Sequence, residues 1–376
     1  MSNIISRPAA LVKQGNLKLY TTSLKVRDLL SNNFYDIERL DPDDPNDKGF
    51  QRVLNKSRSK RLADYILDGQ ATHDAFLPTS VFLATDRDVN FDASTNTITF
   101  DVNQVGPFSV VDGQHRIEGL KLAAEKNAEV LDFEVPVNIA VNLPKIAQMC
   151  HFLIVNTTQK SVDRSVEQRI FARLTEAINL EDVPSLPKWI RRIVESGDDE
   201  RALKIADYLN STAESPWYGK IEMANKDAKT ATISQSTFVK ALTKYVLTSS
   251  NPVSVQPVEK QERIFLNYWK AISAVLDVEK PTVLYKSIGL ELFCRFSMPL
   301  FNKLQNINDF KVSTIEKTLV ETFENLDGEF VGVGHPDWWL SSTGAAGGMN
   351  SLAIGKAHSE LTRALHKVQT ASDISL

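Results

Sequence analysis

A five-residue run, Asp112-Gly-Gln-His-Arg116, stands where an apolar strand-like segment ends and a helix-like segment begins. Gly113 permits a tight turn, and the first amide groups of the following helix would face outward, where an anion can be held. Arg116 adds a planar set of donors that suits phosphate oxygens. Asp112 could bind Mg²⁺ or orient an attacking water, and His115 could carry a proton near neutral pH. The chemistry indicated is phosphate handling.

A purely structural interpretation of the same run is also open. In that interpretation Asp112 caps a helix, Arg116 lies in a surface ion pair and His115 packs against a sheet. Asp and Gly are ordinary turn residues, so the five residues alone do not separate the two interpretations.

The run resembles the signature of the DGQHR-domain family, since an apolar pair precedes it and Ile117 follows it. Upstream, Gln51 and Arg52 begin a stretch that resembles the family's Gln-Arg segment and leads into a helix-compatible stripe. Downstream, the residues from Asn156 to Val162 resemble its Asn-x-x-Gln-Lys-x-Val segment. The three segments together, over residues 49–170, make the resemblance specific.

The DGQHR-domain family includes DndB-like proteins encoded with DNA phosphorothioation systems and DpdB-like proteins encoded with systems that insert 7-deazaguanine into DNA. It is distantly similar to the ParB/sulfiredoxin-like superfamily, whose members place a Gly-containing, Arg-ending turn on nucleotide phosphates. The resemblance therefore implies ATP and Mg²⁺ as cofactors, with Asp112 as the metal-binding residue. The implied partners are DNA and a DNA-modifying enzyme encoded nearby, either transglycosylase-like or a sulfur-modification complex; a homo-oligomer is left open.

Within this interpretation the site residues have two roles. Asp112 would hold Mg²⁺ or align water, Arg116 would bind phosphate, and Gln114 or His115 would orient the phosphoryl group. The residues expected to bind the nucleotide are Gly113, Gln51, Arg52, Arg58, Asn156, Gln159 and Lys160. The last three are expected in a loop that closes over the nucleotide, with a plain cap and connector as the alternative.

Composition bounds the class of protein. With 376 residues, of which 42% are hydrophobic and 24% charged, the chain can bury a large core and form two domains. Its apolar runs are interrupted well before ~18 residues, and its start lacks the pattern of a secretory signal, so a soluble cytoplasmic protein without membrane contact is expected. Cys150 and Cys294 cannot make a disulfide framework and are expected to be buried and inert.

The net charge of -4 argues against a protein whose whole surface binds nucleic acid. A local basic cluster runs from Lys48 to Arg61 and contains Arg52 and Arg58. Such a cluster could contact DNA, a nucleotide or an acidic partner, or be a solvated face. Because Arg52 and Arg58 lie in the segment that resembles the family, a contribution to the nucleotide pocket is favoured over general DNA binding.

These residues require elements to position them. The expected fold is α+β, with a ParB/sulfiredoxin-like small mixed sheet and helices in a nucleotide-binding domain over residues 1–145 and a mainly helical domain over 146–376. Helices are expected over Ile117–Ala128 and over Ser161–Leu180, where Ser161 is a candidate cap, and a hairpin turn over Asn90–Thr97. The expected strands lie around Leu17–Tyr20, Val81–Ala84, Ile98–Val102, Phe108–Val111 and Val135–Val141.

The leading hypothesis is an ATP-binding and ATP-hydrolysing accessory protein of a bacterial DNA-modification system that serves phage defence. Insertion of 7-deazaguanine is slightly preferred over phosphorothioation. One alternative is a DNA-binding transcriptional regulator of a phosphorothioation gene cluster, which needs a basic reading surface that is not evident in the C-terminal half. Another is a ParB-like nuclease, which needs clustered carboxylates, and Asp112 with Glu118 is weak support for it.

Overall fold

A computed structural model describes residues 3–44, 49–72, 74–159, 163–177, 188–226, 229–278 and 281–368. The residues up to Ile170 belong to a first compact unit, and Phe171–Glu176 with the described residues from 188 onward belong to a second. Residues 146–170 thus group with the first unit, whereas the sequence prediction divided the chain at residue 145. None of the helices in these ranges combines the length and apolar character needed to cross a bilayer.

The first unit alternates strands and helices along the chain. Its strands are β1 (Ile4–Gln14), β2 (Leu17–Lys25), β3 (Tyr35–Asp36), β4 (Val81–Ala84), β5 (Asn90–Asp92), β6 (Thr97–Asp101), β7 (Phe108–Asp112) and β8 (Glu134–Val141). Its helices are α1 (Val26–Leu29), α2 (Lys56–Thr72), α3 (Val102–Val105), α4 (Gln114–Lys126) and α5 (Lys145–Gln159).

The strands form one eight-stranded sheet in the order β3-β7-β4-β8-β2-β1-β6-β5. The pairs β3·β7 and β4·β8 are parallel, and the other neighbours are antiparallel. The predicted α+β class is confirmed, while the ParB/sulfiredoxin-like character of the sheet stays a prediction. The turn of the predicted hairpin joins β5 to β6.

The five predicted strands are present, but β1 was not foreseen. Pro8 and the neighbouring Arg7 interrupt its apolar alternation, and a proline within a run argues against a strand. The structure nevertheless pairs β1 with β2 on one side and β6 on the other. Tertiary pairing therefore outweighs the local sequence signal here.

One face of the sheet is covered by α2 and α4, which share a buried apolar core with Val81, Leu83 and Val110. Gly119 of α4 permits the close approach of the two helices. A Cβ added there would lie 2.9 Å from a side-chain carbon of Leu62 on α2. This packing brings the basic start of α2 alongside the start of α4.

Helix α6 (Arg164–Ala177) lies inside the predicted span of Ser161–Leu180. Ser161, the predicted cap, is outside the described residues. Asp163 caps the helix, since its carboxylate accepts the backbone N–H of Ser165 at 2.9 Å.

The second unit is mainly helical. Its helices are α7 (Lys188–Ser196), α8 (Asp198–Ser211), α9 (Gln235–Tyr245), α10 (Val258–Leu276), α11 (Ser287–Ile307), α12 (Val312–Glu324) and α13 (Ser351–Lys367), and its short strands are β9 (Ile221–Glu222) and β10 (Ile233–Ser234). The core contains the aromatic cluster of Trp217, Trp269 and Phe293, whose rings meet nearly edge to face.

Both cysteines are buried, as predicted. Burial raises the pKa of Cys150 to about 11 and raises the pKa of Cys294 still further above its ordinary value. The reactive thiolate is therefore scarce at neutral pH, in keeping with the predicted inert thiols.

Candidate functional site

The turn between β7 and α4 has a conformation that requires glycine. Gly113 has φ +109°, a backbone region that L side chains rarely adopt, and a Cβ there would lie 3.2 Å from Cα of Val81. The N–H groups of Arg116 and Ile117 make the first intrahelical bonds, both to the carbonyl of Gly113. The amides of Gln114 and His115 precede those bonds and are the donors that an anion at this helix start would meet.

Asp112 and Arg116 form an ion pair across the turn. The Nη2–Oδ2 distance is 2.7 Å, and Nη1 of Arg116 also donates to the carbonyl of Ser80 at 2.9 Å. Both side chains remain partly exposed, with 20% of the Arg116 side chain and 32% of the Asp112 side chain accessible. The guanidinium is thus fixed in direction at a surface that a ligand can reach.

Positive charge accumulates around this turn. Burial, the largest cause, and then Arg58 lower the pKa of Arg52, while Asp112 and Asp163 act in the opposite direction. Within the described chain, neither the Arg52 nor the Arg58 guanidinium has a carboxylate within 4 Å. Arginine stays protonated, so this part of the surface offers positive charge to an anion.

His115 is held neutral by its surroundings. Its Nε2 accepts the backbone N–H of Asn55 at 3.0 Å, so the proton of the neutral ring lies on Nδ1. Burial lowers the pKa of His115, and Arg52 and Arg58 lower it further. A bound anion would reverse the electrostatic part of this effect.

Two glutamines lie behind the turn. Gln51 is 1% exposed, and its amide nitrogen donates to the backbone carbonyls of Val110 and Val111 in β7. Gln51 therefore supports the strand that carries the site. Gln114 is 5% exposed, and its Oε1 has no hydrogen-bond partner among the described residues, which is unusual for a buried amide.

A polar cluster contacts β7 on the face of the sheet opposite α2 and α4. Ser109 Oγ accepts the Lys145 ammonium at 2.9 Å and donates to the Glu38 carboxylate at 3.2 Å, and Lys145 also pairs with Glu38. Burial lowers the pKa of Lys145, and nearby Asp36 opposes that shift. These contacts anchor the strand three residues before Asp112.

The structure thus brings together the two predicted segments around Gln51 and Asp112. The third segment is different, because Asn156 and Gln159 belong to α5, so the prediction of a loop is wrong for both. Their side chains, and Lys160 as a whole, lie outside the described residues.

Three polar residues near the turn were missed by sequence reasoning. Asn138 donates from Nδ2 to Ser80 Oγ at 2.9 Å and accepts from Thr21 at 2.8 Å. Ser80, Asn138 and His151 line a cavity of about 300 Å³ that Asp112 also lines. No local pattern reveals these residues, because strand pairing and helix packing bring them together.

Metal-binding capacity is limited. The described residues contain no group of three or more His, Cys, Asp or Glu side chains that could hold a metal. Glu118, the second carboxylate considered for a nuclease, acts electrostatically on Tyr35. A single carboxylate, Asp112, suits Mg²⁺ only where phosphate oxygens and water complete the coordination, which is common for this ion.

Comparison with known proteins identifies a family. A family model described as DndB, DNA-sulfur modification-associated, matches residues 7–283, which is more than half of the chain. No curated protein and no solved structure matches significantly.

Proposed function

Because the chain belongs to the DndB family of DNA-sulfur modification-associated proteins, we propose that it binds and hydrolyses ATP in the service of that modification system. The observation that carries the proposal is the cationic cluster of Arg52, Arg58 and Arg116, which lies beside the first backbone amides of helix α4. The predicted preference for 7-deazaguanine insertion gains no support from this match and stays a prediction.

The proposed phosphate site uses three sources of positive potential. The amides of Gln114 and His115 contact one phosphate, Arg116 contacts it from a direction fixed by Ser80, and Arg58 contacts the outer phosphates. Burial and Arg58 lower the pKa of Arg52 despite the opposing effect of Asp112 and Asp163, so a bound phosphate would supply further negative charge that favours its protonated form.

Hydrolysis is assigned to the same turn. Asp112 accepts a proton from, or orients, the water that attacks the terminal phosphorus. The bond from that phosphorus to the β–γ bridging oxygen breaks, ADP leaves, and the proton passes to the released phosphate. Arg116 stabilises the charge that develops on the phosphate oxygens. Mg²⁺, when bound, would supply further neutralisation of those oxygens through Asp112. Neutral His115 contributes its Nδ1–H as a donor, since Nε2 is already an acceptor.

The proposal is tested by measuring phosphate release from ATP with Mg²⁺, with and without DNA. Asp112→Asn keeps the shape of the side chain and is expected to lower turnover by about 100-fold or more while ATP still binds. Asp68→Asn, an exposed change on α2, is the matched control. Binding without any phosphate release by the wild type would contradict hydrolysis, and absence of both would contradict the proposal as a whole.

A second candidate function, DNA binding in a regulatory role, is favoured by one observation. Lys56, Lys60 and Arg61 are exposed along the start of α2, next to Arg58. Such a row can contact phosphates of a duplex without reading its sequence. The nuclease alternative has no comparable support, because the described residues provide no carboxylate cluster.

A further inference from the structure

The cavity next to the turn lies on the opposite face of the sheet from α2 and α4. Residues Leu19, Phe82 and Ala140 point away from the core formed by their strand neighbours, and they form one wall. Helix α5 forms another wall through His151 and Val155. The volume of about 300 Å³ is at the lower end of the range for small-molecule sites.

Asp112 is where this cavity meets the cationic cluster. Its carboxylate lines the cavity and pairs with Arg116, and it also acts electrostatically on Arg52. A register shift in the pairing of β4 with β7, between Phe82 and Leu83, occurs at this point. Such irregularities redirect side chains beside functional sites.

Hydrogen-bonding capacity remains unused inside the cavity. Asn138 donates one N–H of Nδ2 to Ser80, and its Oδ1 accepts from Thr21. The second N–H of Nδ2 and the second lone pair of Oδ1 remain for a ligand. The ring of His151 forms no hydrogen bond with another described residue. Its neutral ring offers one donor and one acceptor.

We infer that this cavity receives the base of the nucleotide whose phosphates lie on the cationic cluster. Its combination of apolar walls with paired donors and acceptors suits a flat heteroaromatic ring that has polar groups on its edge. A single ligand would then extend along both sides of Asp112. Its phosphates would lie near Arg58, and its base would lie in the cavity near Asn138. The inference rests on the proposed function, because it assumes that a nucleoside triphosphate binds at the turn.

The test compares ATP with inorganic tripolyphosphate, which lacks the base and sugar. Affinities for both are measured by calorimetry on the full chain, for the wild type and for Ala140→Leu, which fills the cavity. We expect Ala140→Leu to weaken ATP by about 10-fold or more, the scale of losing favourable contacts worth roughly 1.4 kcal/mol. Its affinity for tripolyphosphate should stay within about twofold, well below that scale.

Two further variants keep the result interpretable. Ala10→Leu adds the same side chain at an exposed position of the same sheet and should change neither affinity. His151→Leu removes the polar edge while keeping a bulky side chain, so it should weaken ATP selectively even where Ala140→Leu fails to fold. Adenosine should compete with ATP for the wild type.

The outcomes separate the two proposals. If tripolyphosphate and ATP bind the wild type and both cavity variants equally, the phosphate site stands and the base pocket is overturned. Loss of both ligands to the same extent in folded variants would also overturn the base pocket. If the wild type binds neither ligand, the proposed function fails and the base pocket fails with it.

Discussion

At the residue scale, the proposed phosphate site depends on a group of charged side chains around the turn. Asp112 is paired with Arg116, while Arg52 and Arg58 contribute positive charge to the same region. The sequence predicted Asp112, His115 and both arginines as neighbours of a phosphate. It did not predict the bond from Asn55 to His115, which determines the tautomer and depends on the folded backbone.

His115 gives a prediction about pH. Its pKa lies below its ordinary value of 6.5, so in the free protein it is neutral at pH 7. Bound triphosphate offsets the arginines and raises this pKa, while loss of the bond that Nε2 accepts from Asn55 opposes protonation. Binding therefore takes up part of a proton, and affinity rises weakly as the pH falls through the two values. NMR titration of the ring with and without tripolyphosphate checks this, and a pKa that falls on binding would contradict it.

The same shift has a consequence for stability. A lowered pKa of His115 in the folded state means that the unfolded chain binds the proton more readily. Its contribution to stability is therefore present above pH 6.5 and is lost as the pH falls towards the folded value. As the pH falls below 6.5, the free energy of unfolding of the wild type should decrease relative to that of His115→Gln. Chemical denaturation at several pH values measures this difference.

Gly113 gives a prediction about backbone strain. Gly113→Ala should lower the free energy of unfolding by about 1–3 kcal/mol or more, because φ +109° is strained for alanine and Val81 crowds the new Cβ. Gly15→Ala also has a positive φ but has no atom within 4 Å of the added Cβ. Chemical denaturation should give a smaller loss for Gly15→Ala, and equal losses would mean that crowding at Gly113 has no effect.

At the element scale, the site depends on how α2, α4 and β7 meet. Strand β7 and the start of α4 were predictable because an apolar run, a glycine and a helical period follow one another in the sequence. The extent of α5 was not predictable, because nothing in its sequence shows that the helix continues through Asn156 to Gln159. Strand β1 was not predicted because Pro8 argues against a strand in the local sequence, whereas pairing with β2 and β6 stabilises it in the fold.

The packing of α2 on α4 gives a prediction at this scale. Gly119→Val should cost about 1–3 kcal/mol through overpacking, because added atoms meet Leu62 and the Ser59 carbonyl. It should also weaken tripolyphosphate binding, since it moves Arg58 away from His115. Lys121→Val, at an exposed position of the same helix, is the control. Unchanged binding by a destabilised Gly119→Val would contradict the role assigned to this packing.

At the scale of the whole molecule, net charge and local charge have opposite signs. The chain carries -4, whereas the start of α2 is basic and exposed. We therefore expect DNA binding to be weak and strongly dependent on salt. The double variant Lys60→Glu, Arg61→Glu should lower DNA affinity and flatten its salt dependence while leaving ATP affinity unchanged. Filter binding over a series of salt concentrations measures this, and an unaltered slope would exclude α2 as the DNA contact.

Composition predicted a large chain with two parts and buried cysteines, and the structure has two compact units. The second unit was predicted to be mainly helical, and none of the predicted site residues lies in it. The cavity beside Asp112 was also beyond prediction, because its walls come from β2, β4, β8 and α5. Only the folded chain brings those segments together.

The most direct test of the central claim is the affinity for Mg²⁺-ATP, measured by calorimetry on three forms of the protein. The wild type should bind, and Arg58→Gln should bind about 10-fold or more weakly, because a charged hydrogen bond to phosphate contributes about 1.5–3 kcal/mol. Lys60→Gln, an exposed cation on the same helix, should bind like the wild type. Equal affinities for all three forms would contradict a phosphate site built on this cluster.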